Sequence, residues 1–176
     1  KDLTDGMMKA KGIENIFLNK NITLNNISGI ISNLAFQPSL KILNIGGNNA
    51  VKDSSDLSKA LTKMLKMSQS IETLICNDIP SLNNNFDMEF YSSLGENNSL
   101  KHLNLSKSGV LNFNYLGTSV AMNALKNGNL EVLKISGNFN YTNFETFVKS
   151  LSISEEIHYK FYGNNNVIGS KDLESN

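Results

Sequence analysis

One phrase recurs along this chain. Residues 39–49 read SLKILNIGGNN, residues 99–109 read SLKHLNLSKSG, and residues 129–138 read NLEVLKISGN. Counting from the first leucine, apolar residues stand at positions one, four and six, and asparagine twice stands at nine. Two further copies follow the same rule, so five units carry it. They are Ile13, Ile16, Leu18, Asn21; Leu40, Leu43, Ile45, Asn48; Ile71, Leu74, Cys76, with Ile79 at nine; Leu100, Leu103, Leu105, with Ser108 at nine; and Leu130, Leu133, Ile135, Asn138. Successive starts lie 27, 31, 29 and 30 residues apart. A degenerate sixth copy keeps Tyr159, Phe161 and Asn164, with Glu156 or Ile157 at its start. Self-similarity at a fixed period of this size is the mark of a stacked repeat architecture.

Within each phrase the apolar positions alternate with polar ones, as in a short strand with one buried face. Strands are therefore expected near 13–19, 40–46, 71–77, 100–106, 130–136 and 157–162. Between phrases the apolar spacing becomes helical. The stripes are Ile27, Ile30, Ile31, Leu34; then Leu57, Ala60, Leu61, Met64, Leu65; then Leu116, Val120, Ala124, Leu125, with Gly128 as a C-terminal stop; then Phe144, Phe147, Val148, Leu151. Thr142 and Glu145 stand at capping-box spacing ahead of the last stripe. The third unit is the least regular, with only Phe86, Phe90 and Leu94. Strands joined by helical crossovers run parallel. A single strand–helix unit cannot bury its apolar face alone, and stacking buries it. Asparagine at nine is expected to turn its amide inward and bond loop backbone of neighbouring units. Looser turns are expected in units three and four, where it is missing. The six methionines, Met7, Met8, Met64, Met67, Met88 and Met122, fall in helical segments and read as core or gap filling.

The phrase L-x-x-L-x-L-x-x-N, repeated across essentially the whole chain, resembles the leucine-rich repeat family. A period near 29 with a full helix per unit is similar to the ribonuclease-inhibitor-like subclass. Regulators of actin capping of the CARMIL type, nucleotide-sensing receptors and GTPase activators of Ran share it. The resemblance implies an α/β leucine-rich-repeat solenoid, a horseshoe with a parallel sheet on its concave face and helices on its convex face. Residues 1–176 are then one array of about six units. The tail NNNVIGSKDLES aligns with NNAVKDSSDLSKAL after the second phrase, and the start reads as the end of a helix. Both ends are expected to be interior to a longer array.

On such a sheet, positions three, five and seven face outward. The candidate partner-binding residues are Phe17, Ile42, Asn44, Thr73, Ile75, Asn77, His102, Asn104, Val132 and Lys134. The set is nearly uncharged, with scattered apolar and amide groups, and suits a protein partner. Position two differs. It reads Glu14, Lys41, Glu72, Lys101, Glu131, alternating in sign. Parallel strands about 4.8 Å apart would set each charge between two opposite ones. This is expected to be an internal ladder that fixes stacking register rather than a rim for a partner.

Composition narrows the function. Sixteen lysines balance sixteen acids and the chain has no arginine. Arginine is the usual bidentate reader of phosphate and guanine, so no nucleic-acid partner is expected. No apolar run approaches the roughly twenty residues of a membrane span. The 28 asparagines reflect codon bias more than chemistry. One cysteine, Cys76, excludes an internal disulfide and fits a cytosolic setting. It occupies a buried strand position and reads as a small hydrophobe. His102 and His158 fall in different units, roughly 10 Å apart, too far to share a metal. No nucleophile elbow, phosphate-binding glycine–lysine loop or H-E-x-x-H motif occurs. No catalytic residue, cofactor or metal is expected. The resemblance then implies a non-catalytic protein–protein interaction scaffold in a larger cytoplasmic complex, cytoskeletal or ciliary. The alternatives it implies are a GTPase-activating regulator similar to the Ran activators, and a ligand-sensing domain of a larger receptor.

Overall fold

The computed structural model describes residues 6, 10, 12–21, 27–48, 55–82, 86–110, 112–123, 129–138 and 141–151. Strands and helices alternate along it. The strands are β1 (Asn15–Phe17), β2 (Ile42–Asn44), β3 (Thr73–Ile75), β4 (His102–Asn104) and β5 (Val132–Lys134). The helices are α1 (Ile27–Leu34), α2 (Ser55–Met67), α3 (Met88–Glu96), α4 (Phe113–Met122) and α5 (Tyr141–Leu151), with a short 3-10 turn at Pro80–Leu82.

The five strands form one parallel sheet in chain order, β1 to β5. Phrase positions pair with like positions throughout: Ile16, Leu43, Leu74, Leu103 and Leu133, all at position four, are neighbours in register. Each strand is three residues long, inside the seven-residue span expected. Cross-unit bonding nevertheless continues beyond it. Ile45, Cys76 and Leu105 each donate their backbone N–H to the next unit, and so do Gly47, Asp78 and Lys107 at position eight.

Position eight is where the chain leaves the sheet. Lys20, Gly47, Asp78, Lys107 and Gly137 all have φ between 53° and 74°. Glycine adopts this left-handed conformation without strain, whereas the other three do so at some cost. The two glycines serve a second purpose. A Cβ on Gly47 would come within 2.9 Å of Lys20 Cγ, and one on Gly137 within 2.5 Å of Lys107 Cγ. Each lysine stem lies over the glycine of the following unit.

The core lies between the sheet and the helices. The position-four residues, the position-one residues Leu40, Ile71 and Leu100, and most of the described helix-stripe residues share one buried cluster, from which Phe144, only half-buried, and Val148 are absent. Ile27, Ile30, Ile31 and Leu34 are buried as expected, as are Leu57, Ala60, Leu61, Met64 and Leu65. In α3 the cluster is aromatic. Phe86 and Phe90 ring centroids are 4.1 Å apart, and Tyr91 meets Phe90 edge-on at 5.5 Å. Asp87 caps α3 by accepting from Phe90 N at 2.9 Å. Neighbouring helices pack pairwise in chain order. Gly117 lets α4 approach α5, since a Cβ there would lie 2.6 Å from Ser150 Cβ.

Several expectations need correction. Val148 is 40% exposed, because its face of α5 points away from α4, while Phe147 and Leu151 point inward. Met67, Met88 and Met122 are also exposed, at helix ends that overhang the core. Thr142 does not cap α5. The helix already includes Tyr141, so Thr142 is internal, its carbonyl accepts from Thr146 Oγ1, and Glu145 pairs with Lys149. Ala124, Leu125, Gly128, Met7, Met8, His158, the sixth unit and both chain ends lie outside the described residues.

The turns of units three and four are not loosened by the missing asparagine. Asn48 Nδ2 donates to Leu18 O and Ile45 O, and its Oδ1 accepts from Asn21 N. Asn138 repeats this with Leu105 O, Ile135 O and Ser108 N. Each asparagine thus serves position six of its own unit and of the one before. Only Cys76 O is left over, and buried Ser108 Oγ donates to it at 2.5 Å. All five position-six carbonyls are met, and Ile79 is free to be a fully buried hydrophobe. Ser108→Ala should orphan Cys76 O and lower the unfolding free energy by about 1–3 kcal/mol in urea titration. A loss under about 0.5 kcal/mol, the scale of neutral surface changes, would show that another donor reaches that carbonyl.

A second amide ladder secures the opposite turns. Buried Asn97 Nδ2 donates to Leu65 O at 2.8 Å, at the end of α2, and its Oδ1 accepts from Leu100 N. Asn123 Nδ2 donates in turn to Leu94 O and to Asn97 O. The abundance of asparagine is therefore put to structural use at these four positions, which codon bias alone would not arrange.

Candidate functional site

Nine of the ten candidate residues lie within the strands and Asn77 just after β3, all on the face of the sheet that the helices leave uncovered. None is fully buried. Position five reads Phe17, Asn44, Ile75, Asn104, Lys134 across the sheet, and position three reads Asn15, Ile42, Thr73, His102, Val132. Phe17 is 62% exposed and stands at the β1 end. Ile42 and Asn44 lie between it and a hollow of about 450 Å³. Thr73, Ile75, His102, Asn104, Val132 and Lys134 line that hollow, with Leu103. Asn77 lies below it, donating to Asp78 Oδ2 at 2.7 Å. A side chain at Gly46 would collide with Asn77 Oδ1, so glycine there leaves the amide room to lie across the turn.

The structure brings six of the ten together and leaves Phe17, Ile42, Asn44 and Asn77 outside the hollow. Leu103 was missed, because position four is read as core. It is 1% exposed and lies at the floor of the hollow, buried as position four requires.

Local bonds orient the polar side chains. Asn44 Oδ1 accepts from Gly46 N and Asn104 Oδ1 from Ser106 N, both at 3.0 Å. Both amide nitrogens are thereby turned outward. Thr73 Oγ1 and His102 Nδ1 are 3.2 Å apart, and His102 Nε2 is 3.7 Å from Glu131 Oε2.

The position-two charges pair two by two along one margin of this face, rather than each bonding two opposite neighbours. Lys41 Nζ lies 3.2 Å from Glu14 Oε1, and Lys101 Nζ lies 2.9 Å from Glu72 Oε2. The hydrogen bond from Lys101, then its charge, holds the Glu72 carboxyl below the usual glutamate range, with Lys41 and His102 contributing less. The same pairing raises Lys101, with a further contribution from Glu131. A carboxylate with a depressed folded pKa adds stability above its unfolded pKa, and that stability is lost as pH falls through the folded value. The opposite holds for Lys101, whose contribution disappears as pH rises through its elevated folded value. Carboxyl-detected NMR should show Glu72 titrating below a free glutamate, and Lys101→Met should return it toward the free value. An unchanged midpoint in that variant would show that Lys101 is not what lowers Glu72.

Cys76 is fully buried, and burial pushes its thiol pKa far up. Among the described residues no group of three histidine, cysteine, aspartate or glutamate side chains is placed to hold a metal ion. Among the same residues no helix is long and apolar enough to cross a membrane.

The fold is similar to two solved structures. One is described as the tropomodulin C-terminal domain of Caenorhabditis elegans, 14% identical, with a TM-score of 0.58 over 85% of this chain and 87% of that one. The other is described as leiomodin-1 actin-binding site 2, 17% identical, with a TM-score of 0.64 over 86% of this chain and 87% of that one. At these identities the likeness is one of fold: an α/β array of the leucine-rich-repeat type with a parallel sheet. No family model matches the chain, and no curated protein does.

Proposed function

We propose that this chain is a protein-interaction module of a cytoskeletal assembly, that it acts by binding rather than catalysis, and that the uncovered sheet face is its docking surface. The observation that carries the reading is that face: ten exposed or half-buried side chains, apolar and amide groups in register, six of them around a hollow. Folded-protein interfaces combine such apolar anchors with satisfied polar neighbours. The likeness to a domain described as an actin-binding site makes actin the first partner to test. A cytoplasmic setting belongs to the same reading, and neither comparison favours a cilium. The repeat period and the full helix per unit support the ribonuclease-inhibitor-like subclass, with the sheet on the inner side of the curve. Burial of Cys76 supports a core role for the one thiol rather than a nucleophilic one.

The test uses the chain with monomeric and filamentous actin, by analytical ultracentrifugation and cosedimentation. Binding is expected in at least one form and should fall by about tenfold or more in Phe17→Asp with Ile75→Asp, since truncated interface anchors typically cost over 1 kcal/mol each. Absence of binding to either form would overturn actin as partner. Full binding by the double variant would overturn the face.

A further inference from the structure

A titratable ring stands inside the hollow of the uncovered face, with a group beside each of its nitrogens. His102 lines the hollow together with Ile75, Leu103 and Val132, and among the described residues it is the one histidine. Its Nδ1 lies 3.2 Å from Thr73 Oγ1 on β3, and its Nε2 lies 3.7 Å from Glu131 Oε2, just before β5. The carboxylate beside Nε2 favours the neutral tautomer that carries its proton there. Nδ1 is then an acceptor, and the Thr73 hydroxyl donates to it. Protonation puts a hydrogen on Nδ1 as well. The Thr73 oxygen must then accept, and its own hydrogen swings off the ring. One proton thereby adds a charge and releases a donor in a hollow lined by three apolar side chains. Charged groups reach the ring from three strands. Glu72 precedes Thr73, Lys101 precedes His102, and the two form an ion pair. Glu131 stands on the β5 side, and Lys134 lines the same hollow. Histidine ordinarily changes charge between about pH 5 and 8, whereas carboxyl and lysine groups ordinarily titrate outside about pH 5.5–8.

We propose that His102 is a proton-operated switch on this face: neutral, it leaves the hollow open to an uncharged apolar side chain of the partner, and protonated, it turns that side chain away. This inference rests on the docking face proposed above and adds how its occupancy is regulated. In the empty hollow Glu131 and Glu72 attract a positive ring, and Lys101 and Lys134 oppose it. Two act against two, so the occupant decides the sign. A seated apolar group takes water from the ring, and loss of water disfavours the charged imidazole. The occupied hollow therefore holds the ring neutral, and by linkage the proton and the occupant compete. For one proton the affinity falls by up to about tenfold per pH unit once the ring of the empty hollow is charged.

The test uses Nile red, an uncharged dye that brightens in apolar surroundings, titrated against the chain at about pH 8 and about pH 5.5. Binding is expected at the higher pH and should be about tenfold weaker at the lower. His102→Gln keeps a neutral polar side chain beside Thr73 and should bind equally at both. Val132→Asp should weaken binding at both, which places the dye in the hollow. Circular dichroism of each variant at each pH checks that the fold is kept. Equal or tighter binding by the native chain at the lower pH, an equal acid loss in His102→Gln, or no binding that Val132→Asp weakens would overturn the proposal. The docking face is judged separately, with actin. If Phe17→Asp with Ile75→Asp abolishes actin binding while His102→Gln leaves its acid dependence unchanged, the face stands and the switch falls. If the dye reports the switch and neither form of actin binds, the switch stands and actin falls.

Discussion

An Asn48→Leu variant is expected to lose about 3–9 kcal/mol of unfolding free energy, seen as a large drop in the urea midpoint, because three polar backbone groups are orphaned at about 1–3 kcal/mol each. The side chain is 1% exposed. Its Nδ2 donates to Leu18 O at 2.9 Å and Ile45 O at 2.5 Å, and its Oδ1 accepts from Asn21 N at 2.9 Å. Leucine fills a similar volume and offers neither a donor nor an acceptor. Domains of ordinary size are stable by only about 5–15 kcal/mol, so the loss is a large fraction of the whole. Asn138 makes the equivalent bonds, yet it is only part-buried, and water can replace some of them. Asn138→Leu should therefore cost less than Asn48→Leu. Equal losses would mean that burial does not govern the ladder, and a loss under about 1 kcal/mol at Asn48 would mean that the amide is not what satisfies these carbonyls.

The repeat made the sheet legible because position four must be apolar in every unit, and aligning the phrases aligns the strands. The pairing of Ile16, Leu43, Leu74, Leu103 and Leu133 follows from the phrase alone. The alternation of charge at position two was legible for the same reason, but it yields two ion pairs rather than the continuous ladder expected. What could not be read depends on relations between units rather than within one. Ser108 replaces an asparagine of the preceding unit, a substitution invisible to position-by-position alignment. The amide roles of Asn97 and Asn123 fall at different distances from the next phrase, so no fixed position marks them. Position eight hid its left-handed turn behind lysine and aspartate, with glycine at only two of five copies. The candidate residues share one face of the sheet, as the alternation within each phrase implies, but the hollow that gathers six of them depends on side-chain depth, which a pattern of polar and apolar letters does not carry.

Unit three shows the same distinction in energetic form. Its phrase lacks the asparagine, and its helix has the thinnest apolar stripe, which in sequence reads as a weak point. In the fold an aromatic group closes it. Phe90 is fully buried, its ring 4.1 Å from that of Phe86 and 5.5 Å from that of Tyr91, and Tyr91 reaches Tyr115 of α4 at 6.2 Å. One side chain thus anchors α3 to the core and, through Tyr91, lies next to the α3–α4 junction. Phe90→Ala is expected to cost about 3–5 kcal/mol, the transfer energy of the ring plus the cavity it leaves between helices that cannot fully collapse. Hydrogen exchange should speed most at the amides of α3, because local opening tracks lost packing. Met88→Ala is the matched control. It lies on the same helix, is 57% exposed, and should change stability by no more than about 0.5 kcal/mol. If Met88→Ala costs as much as Phe90→Ala, α3 is packed on the opposite face, and the aromatic group cannot be what holds the irregular unit in the stack.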